Sequence, residues 1–507
     1  MTVSWGLLLG VAQVVWVVLI AGFIVLERRS PAATLAWIAV VASLPLVGVA
    51  VYLLVGPRHL QRKRLRLGLA RERIGRLLRE WKDARAKVLS LQGQLMRAGA
   101  QLGHLPPEEA REARLFLNGD DCYDALVAAI AGARHHVHLE YYIFNDDQSG
   151  TRVIDALIER ARAGTEVRLL VDARAEGLRH AAVRAMRDAG VEVRFFNRVR
   201  LFRLWWRLVN FRTHRKIVVV DGWIGFTGGM NVTDDHSARA KGQAAWRDTH
   251  VRIVGPAVHG LQATFMQNWL FATDDDLGCA RRERFARFFP PTPAGEELDD
   301  VITLAQHDPT TTPPVGAAQE LRAPPQLVAQ ILASGPDADV YAIEAFYFAA
   351  ITSAKERLWL TTPYFVPDEA IITALCTAAM RGVDVRLLLP VRGDSRLIDL
   401  AARSYVPELL ASGVKVYEYL PRFVHAKTIV IDDDLAIVGT ANLDNRSFRL
   451  DFELTALVFD HAITARLADA FLADLGESRI MDAASRAHLS LIRRLGEASA
   501  RLLSPLL

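Results

Sequence analysis

Cysteine is scarce in this chain: three residues in 507, Cys122, Cys279 and Cys376, far apart and with no metal or redox spacing. The scarcity argues against a disulfide framework and agrees with a reducing compartment. A dominant charge is missing too. The 61 Lys and Arg against 57 Asp and Glu leave a formal charge of +4, a mild lean towards acidic partners. Two stretches lack charge altogether, Val3–Leu26 and Ser30–Pro57. Each is longer than the roughly 20 apolar residues that span a bilayer, and Pro45 is tolerable there as a kink. No basic residue precedes the first run, and a second follows at once, which counts against a cleaved signal peptide. After the second run come Arg58, Arg62, Lys63, Arg64, Arg66, Arg71, Arg73 and Arg76, against Arg28 and Arg29 between the runs. Positive-inside bias then puts the long carboxy-terminal region in the cytoplasm. The basic stretch itself either rests on anionic headgroups or is a solvated helix.

What is present, twice, is a motif. His214-Arg215-Lys216, Asp221 and Gly228-Gly229-Met230-Asn231 recur as His425-Ala426-Lys427, Asp432 and Gly439-Thr440-Ala441-Asn442. Four residues separate Lys from Asp and six separate Asp from Gly in both copies. Core packing does not explain that shared spacing. Each copy reads as a strand, a turn at Asp221-Gly222 or Asp432-Asp433-Asp434, and a second strand ending in small residues. Alternation along the strand places His214 with Lys216, and His425 with Lys427, on one face.

Lysine neutralises charge, asparagine donates hydrogen bonds, and neither is a preferred metal ligand. One imidazole can attack phosphorus and a second can protonate the leaving oxygen. Fixed positive charge would stabilise the equatorial oxygens of the transition state. The set describes a metal-free phosphodiester site needing no cofactor. Zinc fits poorly, because Cys and His-x-His clusters are missing near the motifs. His135, His136 and His138 cluster locally, but only His136 and His138 share a strand face, and we read them as ordinary strand residues.

These residues resemble the phospholipase D superfamily, whose signature is the His-x-Lys-x4-Asp-x6-Gly-[Gly/Ser/Thr]-x-Asn run. Flanking strings narrow the resemblance to bacterial cardiolipin synthases: Asn210–Ile217, Gly228–Asp235, Trp246–His250, Gly255–Val258, Thr362–Asp368 and Asn442–Phe448. Glu27–Pro31 and Leu503–Leu507 fit as well. Residues 61–110 and the loop Asp172–Gly177 depart from the family pattern, and the loop puts the choice of acceptor in doubt. The resemblance implies phosphatidyl transfer between two phosphatidylglycerol molecules, giving cardiolipin and glycerol through a phosphohistidine. The catalytic set would be His214, Lys216, Asp221, His425, Lys427 and Asp432, with Asp221 and Asp432 bracing the hairpins rather than doing chemistry. Asn231 and Asn442 would bind phosphate. A downstream carboxylate orients each histidine in the family, and the matching positions are Asp248 and Glu453. His214 is preferred as nucleophile over His425, with the exchange left open. Anionic membrane lipid, and not nucleic acid, is the implied partner. The implied place is the bacterial inner membrane, crossed twice, with the catalytic region cytoplasmic. Lipid hydrolysis and transfer to another acceptor, such as an ethanolamine lipid, are the nearest rivals; a nuclease or a non-catalytic scaffold is more remote.

The repeat extends beyond the motifs. Helix, strand, helix, strand are expected at Tyr123–Ala133, Val137–Phe144, Arg152–Ala163 and Val167–Val171, and again at Ala345–Ala354, Leu358–Phe365, Ala370–Met380 and Val383–Leu389. Alternation of this kind predicts α/β architecture: two phospholipase D-like lobes of mixed sheet flanked by helices, related by pseudo-twofold symmetry and preceded by a two-helix transmembrane hairpin. The expected divisions are 1–57 for the hairpin, 58–115 for a basic helical linker, 116–270 for lobe one, 271–335 for an inter-lobe linker and 336–507 for lobe two. A long amphipathic helix, about Ala462–Leu503, should close lobe two by packing onto it, in preference to the alternative of membrane contact.

Overall fold

A computed structural model describes residues 15–22, 24, 31–44, 68, 74, 91–173, 177–196, 212–275, 277, 282–290, 327–337, 340–482, 486 and 489–504. The chain divides into one unit of residues 1–65 with 199–210 and a second of 66–198 with 211–507. In the first, helix Pro31–Ser43 sets Val41 beside Ile24, with Ile20, Trp37 and Ile38 packed around them. The two charge-free runs therefore touch. Among the described residues no helix is long and apolar enough to cross a membrane. Residues 3–14, 23 and 25–26 of the first run, 30 and 45–57 of the second, and every basic residue of the stretch after them lie outside the described residues.

Among the described residues the second unit holds two large sheets and one of two strands, Phe365–Val366 with Leu443–Asp444. Strands are numbered along the chain: β1 Glu108–Glu109, β2 Glu112–Phe116, β3 His136–Tyr141, β4 Glu166–Asp172, β5 Glu192–Phe196, β6 Ile217–Val220, β7 Ile224–Gly228, β8 His250–Val254, β9 Val328–Ser334, β10 Arg357–Thr361, β11 Phe365–Val366, β12 Asp384–Pro390, β13 Lys415–Tyr419, β14 Thr428–Ile431, β15 Leu435–Gly439, β16 Leu443–Asp444, β17 Glu453–Phe459 and β18 Ser478–Ile480. Lobe one runs β2-β8-β7-β6-β3-β4-β5; lobe two runs β1-β9-β17-β15-β14-β10-β12-β13-β18. Strip β1 and β18 from the second and the two orders correspond strand for strand. In each, two helices cover the parallel strands: Gly119–Ala131 and Gln148–Arg162 in lobe one, Ala342–Ser353 and Glu369–Met380 in lobe two. Three of the four start on an Asn or Asp whose side chain accepts a backbone N–H of the first turn, Asn118, Asp147 and Asp368. The antiparallel β6 and β14 are buried, β-branched runs, and the parallel β4 is buried in all but its first residue, so both sheet faces are covered.

Helix Val258–Thr273 is buried nearly all round because it lies between the lobes, packed on β6 and on β9, with its buried polar Gln262 and Asn268 hydrogen-bonded. Gly260 makes that approach possible: a Cβ there would sit 2.7 Å from Ile331 Cβ.

Three stretches differ from expectation. β9, within the stretch expected as linker, is an inner strand of lobe two, paired along its full length with β17. Helix Leu91–Gly103 and β1, within the stretch expected as a basic helical linker, pack on lobe two, and β2 begins the lobe-one sheet. The expected long final helix is two helices, His461–Gly476 and Leu491–Leu502. The break has a reason: β18 follows Gly476 at once and completes the sheet against β13.

Candidate active site

Each motif enters on extended chain just ahead of a strand, since β6 begins at Ile217 and β14 at Thr428. The other lobe holds that lead-in. His214 N donates to Phe452 O (2.9 Å) and Phe452 N to Arg212 O (2.8 Å); His425 N donates to Arg247 O (2.7 Å) and Arg247 N to Phe423 O (2.9 Å). These are two short parallel bridges, Thr213 with Phe452 and Arg247 with Val424.

The bridges exchange carboxylates between the lobes. His214 Nδ1 lies 3.1 Å from Glu453 Oε1, and His425 Nδ1 lies 2.7 Å from Asp248 Oδ2. Each imidazole is thus oriented by an acid of the opposite lobe. A carboxylate only accepts, so Nδ1 carries the proton and Nε2 keeps its lone pair, the logic of a triad acid. The two rings share one electrostatic environment, for charge on His214 depresses the pKa of His425.

Lys216 Nζ donates to His214 O (2.7 Å), and Lys427 Nζ donates to His425 O. The Asn231 side-chain oxygen accepts from Ile143 N (3.3 Å). Among the described residues Asn442 Oδ1 is buried with no partner, an acceptor open to a ligand hydroxyl, while Nδ2 is the end of that amide able to donate to a phosphate oxygen.

Burial decides the protonation. It pushes His214 down to about 4, with Lys216 and Arg446 adding to the effect and Asp451 opposing it. It pushes Glu453 up to about 7 and Asp451 up to about 6. Lys427 falls to about 7 and Lys216 is lowered, both by burial first. His425 is held well below its ordinary value by burial, then by Lys427, Lys216 and His214. The cations that depress the rings are Lys216 and Lys427, with Arg446 beside His214, and a bound anion would offset their field.

Comparison with known proteins fits this arrangement. Residues 126–269 and 347–475 match the family described as "Cardiolipin synthase, PLD-like domain". The chain belongs to that family. Residues 14–57 match a second family, "Phospholipase D-nuclease N-terminal". The chain is 39% identical to a cardiolipin synthase of Geobacillus sp. (strain WCH70), covering 97% of this chain and 92% of that one. It is 38% identical to cardiolipin synthase 2 of Bacillus anthracis, covering 96% and 90%. A phosphatidylserine synthase from Haemophilus influenzae has a similar fold, with TM-score 0.56 at 14% identity over 82% of this chain and all of that one. With its family, the chain is a phosphatidyl-transferring enzyme.

Asp221 and Asp432 are not part of this centre. Each sits at the far end of its strand from the histidine, at the hairpin turn. Both adopt positive φ, 52° and 48°. The Asp221 carboxylate accepts the N–H groups of Arg134, His135 and His136 at 2.7, 2.7 and 2.8 Å. Asp432 does the same for Lys355, Glu356 and Arg357, the nearest at 2.8 Å. They tie the hairpin to the loop that starts the neighbouring strand. His136 and His138 lie buried on either side of Gln262, away from the motifs, as strand residues of the core.

Several residues of the site went unread in the sequence. Asp451 Oδ2 is 3.4 Å from His214 Nδ1, giving that ring a second acid. Thr440 Oγ1 donates to Glu453 Oε2. His236, fully buried, accepts the Asn231 N–H at Nε2 (3.2 Å) and sets Nδ1 3.7 Å from Asp248 Oδ2. A sequence signal existed for His236. It lies five residues after Asn231, as Ser447 lies five after Asn442, and Ser447 Oγ accepts the Asn442 N–H at 3.2 Å. Trp246 and Phe423 wall in His425, with ring centroids 5.2 and 5.7 Å away, while Tyr142 stands 4.3 Å from His214.

Two groups have the spacing of a metal site, His236 with Asp248 and His425, and His214 with Asp451 and Glu453, their ligand atoms within 4.8 Å of one another. The chemistry of the donor set argues against an ion. It would displace the Nδ1–H that orients each ring, and it would meet the fields of Lys216 and Lys427, both felt by these acids.

Proposed function

We propose that this enzyme transfers a phosphatidyl group from one phosphatidylglycerol to the headgroup hydroxyl of another, releasing glycerol and forming cardiolipin. The crossed histidine–carboxylate pairs carry the reading, because they make two half-sites into one centre holding a nucleophile and an acid.

His214 Nε2 attacks phosphorus, and the bond to the glycerol headgroup breaks. His425 gives its Nε2 proton to the departing oxygen. The intermediate is a phosphatidyl group on His214, with positive charge on the ring. In the second half the hydroxyl of the acceptor gives its proton to His425, its oxygen attacks phosphorus, and the P–N bond breaks. His214 is the better nucleophile because Glu453 and Asp451 both face its Nδ1 and stabilise the phosphorylated ring. His425 has one acid, Asp248, and a neutral His236 behind it. The acid role requires a protonated His425, and the lipid phosphate supplies the negative charge that restores it against Lys216 and Lys427. The lysines and the amides of Asn231 and Asn442 hold the phosphate oxygens.

The catalytic unit works at a membrane that the two charge-free runs cross, with the basic stretch and both lobes on the cytoplasmic side. The match of residues 14–57 to a family of amino-terminal domains is compatible with that placement.

Purified full-length protein in mixed micelles, given phosphatidylglycerol labelled in its headgroup glycerol as sole lipid, tests the reaction. Equal amounts of cardiolipin and labelled glycerol are expected. Phosphatidic acid with glycerol, and no cardiolipin, would make the enzyme a hydrolase and overturn the proposal.

A further inference from the structure

Helix Leu491–Leu502 packs on lobe two through a narrow underside. Only Glu497 and Ala500 of it are buried, and Glu497 accepts a charge-assisted hydrogen bond from Arg486 Nη2 at 2.5 Å. The opposite side is apolar and bare: Leu491, Ile492, Leu495 and Leu502 are 69, 84, 57 and 81% exposed. At 100° per residue, positions 491, 495, 498 and 502 form one stripe, with 492 beside it. Arg494 and Arg501 fall along one border of that stripe. Packing onto lobe two, expected for the final helix, accounts for the underside and, among the described residues, leaves the stripe exposed.

The far end of the helix is fastened beside the active site. Ser504 O accepts from Asn445 Nδ2 (3.2 Å), and Tyr405 Oη donates to Ser504 Oγ (3.0 Å). Asn445 lies three residues after Asn442 and directly follows Asp444, the acid that caps the short helix Asn445–Arg449 by accepting Ser447 N. Arg501 is held by stacking over Tyr405, 4.3 Å from ring centroid to guanidinium carbon. The helix therefore has a fixed position relative to the phosphate-binding end of lobe two.

We propose that this helix lies in the interface of an anionic bilayer, its leucine stripe among the acyl chains and Arg494 against lipid phosphates while Arg501 holds the helix to Glu408 and Tyr405 of lobe two, so that lobe two meets the membrane with its catalytic cleft beside the headgroups. An apolar face and a basic border are the features of interfacial helices. Anionic lipid is the occupant that matches both surfaces, and it is the substrate class of the reaction above, on which this inference rests.

The test uses full-length protein reconstituted into vesicles of phosphatidylethanolamine and phosphatidylglycerol. An environment-sensitive fluorophore is placed by Leu495→Cys in a Cys279→Ser background, and for comparison by Asp188→Cys on lobe one. Nitroxide on the acyl chains should quench the probe at 495 several-fold more than the probe at 188. Equal quenching overturns the inference. The triple variant Leu491→Ser, Leu495→Ser, Leu502→Ser should lose at least about tenfold in cardiolipin formation on vesicles, yet match the parent on water-soluble short-chain phosphatidylglycerol. Unchanged vesicle activity, or a changed oligomeric state in place of changed quenching, also overturns it. Strong quenching at 495 with no cardiolipin from either substrate would leave the docking standing and sink the reaction.

Discussion

The two half-sites share their substrate-facing parts and differ in what stands behind them. Around His425 the support is spare: one aspartate, Asp248, whose second oxygen takes the Thr249 N–H at 2.7 Å. Gly229 leaves room for it, since a Cβ there would be 2.0 Å from Asp248 Oδ1. Around His214 the longer Glu453 is steadied by the hydroxyl of Thr440, which stands where lobe one has Gly229, and Asp451 adds a second acid. Behind the first asparagine stands His236, behind the second Ser447. Even the middle residue of the motif differs. Arg215 reaches Glu453 O, Asn268 Oδ1 and Ser334 O and clamps the lobes together, whereas its counterpart Ala426 only fills space. A repeat can keep two imidazoles, two ammoniums and two amides while giving one ring more negative charge than the other. That inequality suits one ring to become cationic and the other to pass a proton.

Removing the orienting acids should break the comparison most severely. Glu453→Gln and Asp248→Asn are expected to lower cardiolipin formation by about 10² to 10⁴-fold while the fold survives, measured as steady-state turnover beside a melting curve. The bracing aspartates should behave in the opposite way. Asp221→Ala and Asp432→Ala each orphan three backbone N–H groups at a left-handed position, costing about 2–3 kcal/mol. A lower Tm with near-normal kcat in the folded fraction is expected; a collapse of kcat at unchanged Tm would return them to the chemistry.

The lysines offer a test by pH. Lys427, pushed down to about 7, is charged below that value and neutral above it. The free enzyme should therefore lose kcat/KM as pH rises through about 7, and Lys427→Arg should carry that limb upward while kcat changes less. An alkaline limb that stays in place would separate Lys427 from phosphate binding. The smallest effect is reserved for the third histidine. His236→Ser copies the lobe-two arrangement and removes a dipole aimed at Asp248. It should cost less than about tenfold in rate and move the limb reporting His425 upward by up to about one pH unit. An unmoved profile would make His236 structural only.

The strands around the motifs were legible because their periodicity and turn residues are local. The expected Val167–Val171 and Val383–Leu389 lie within β4 and, but for the first residue, β12. The crossed pairing was not legible, because each histidine finds its acid 239 or 177 residues away in sequence, through a bridge of two backbone hydrogen bonds. Asp451 was hidden for the same reason. The final helix was misjudged because apolar periodicity continues past Gly476, while the competing pairing of β18 with β13 is non-local. Its exposed stripe also shows that amphipathic spacing does not say which surface an apolar face will cover.

The division of labour between the lobes can be measured with a donor whose headgroup leaves without help, phosphatidyl-p-nitrophenol. Its single-turnover burst of nitrophenol requires a nucleophile but no acid. His425→Ala and Asp248→Asn should keep the burst, and His214→Ala and Glu453→Gln should lose it. If instead Asp248→Asn falls silent with His214→Ala while Glu453→Gln still bursts, the exchange of carboxylates between the lobes is contradicted.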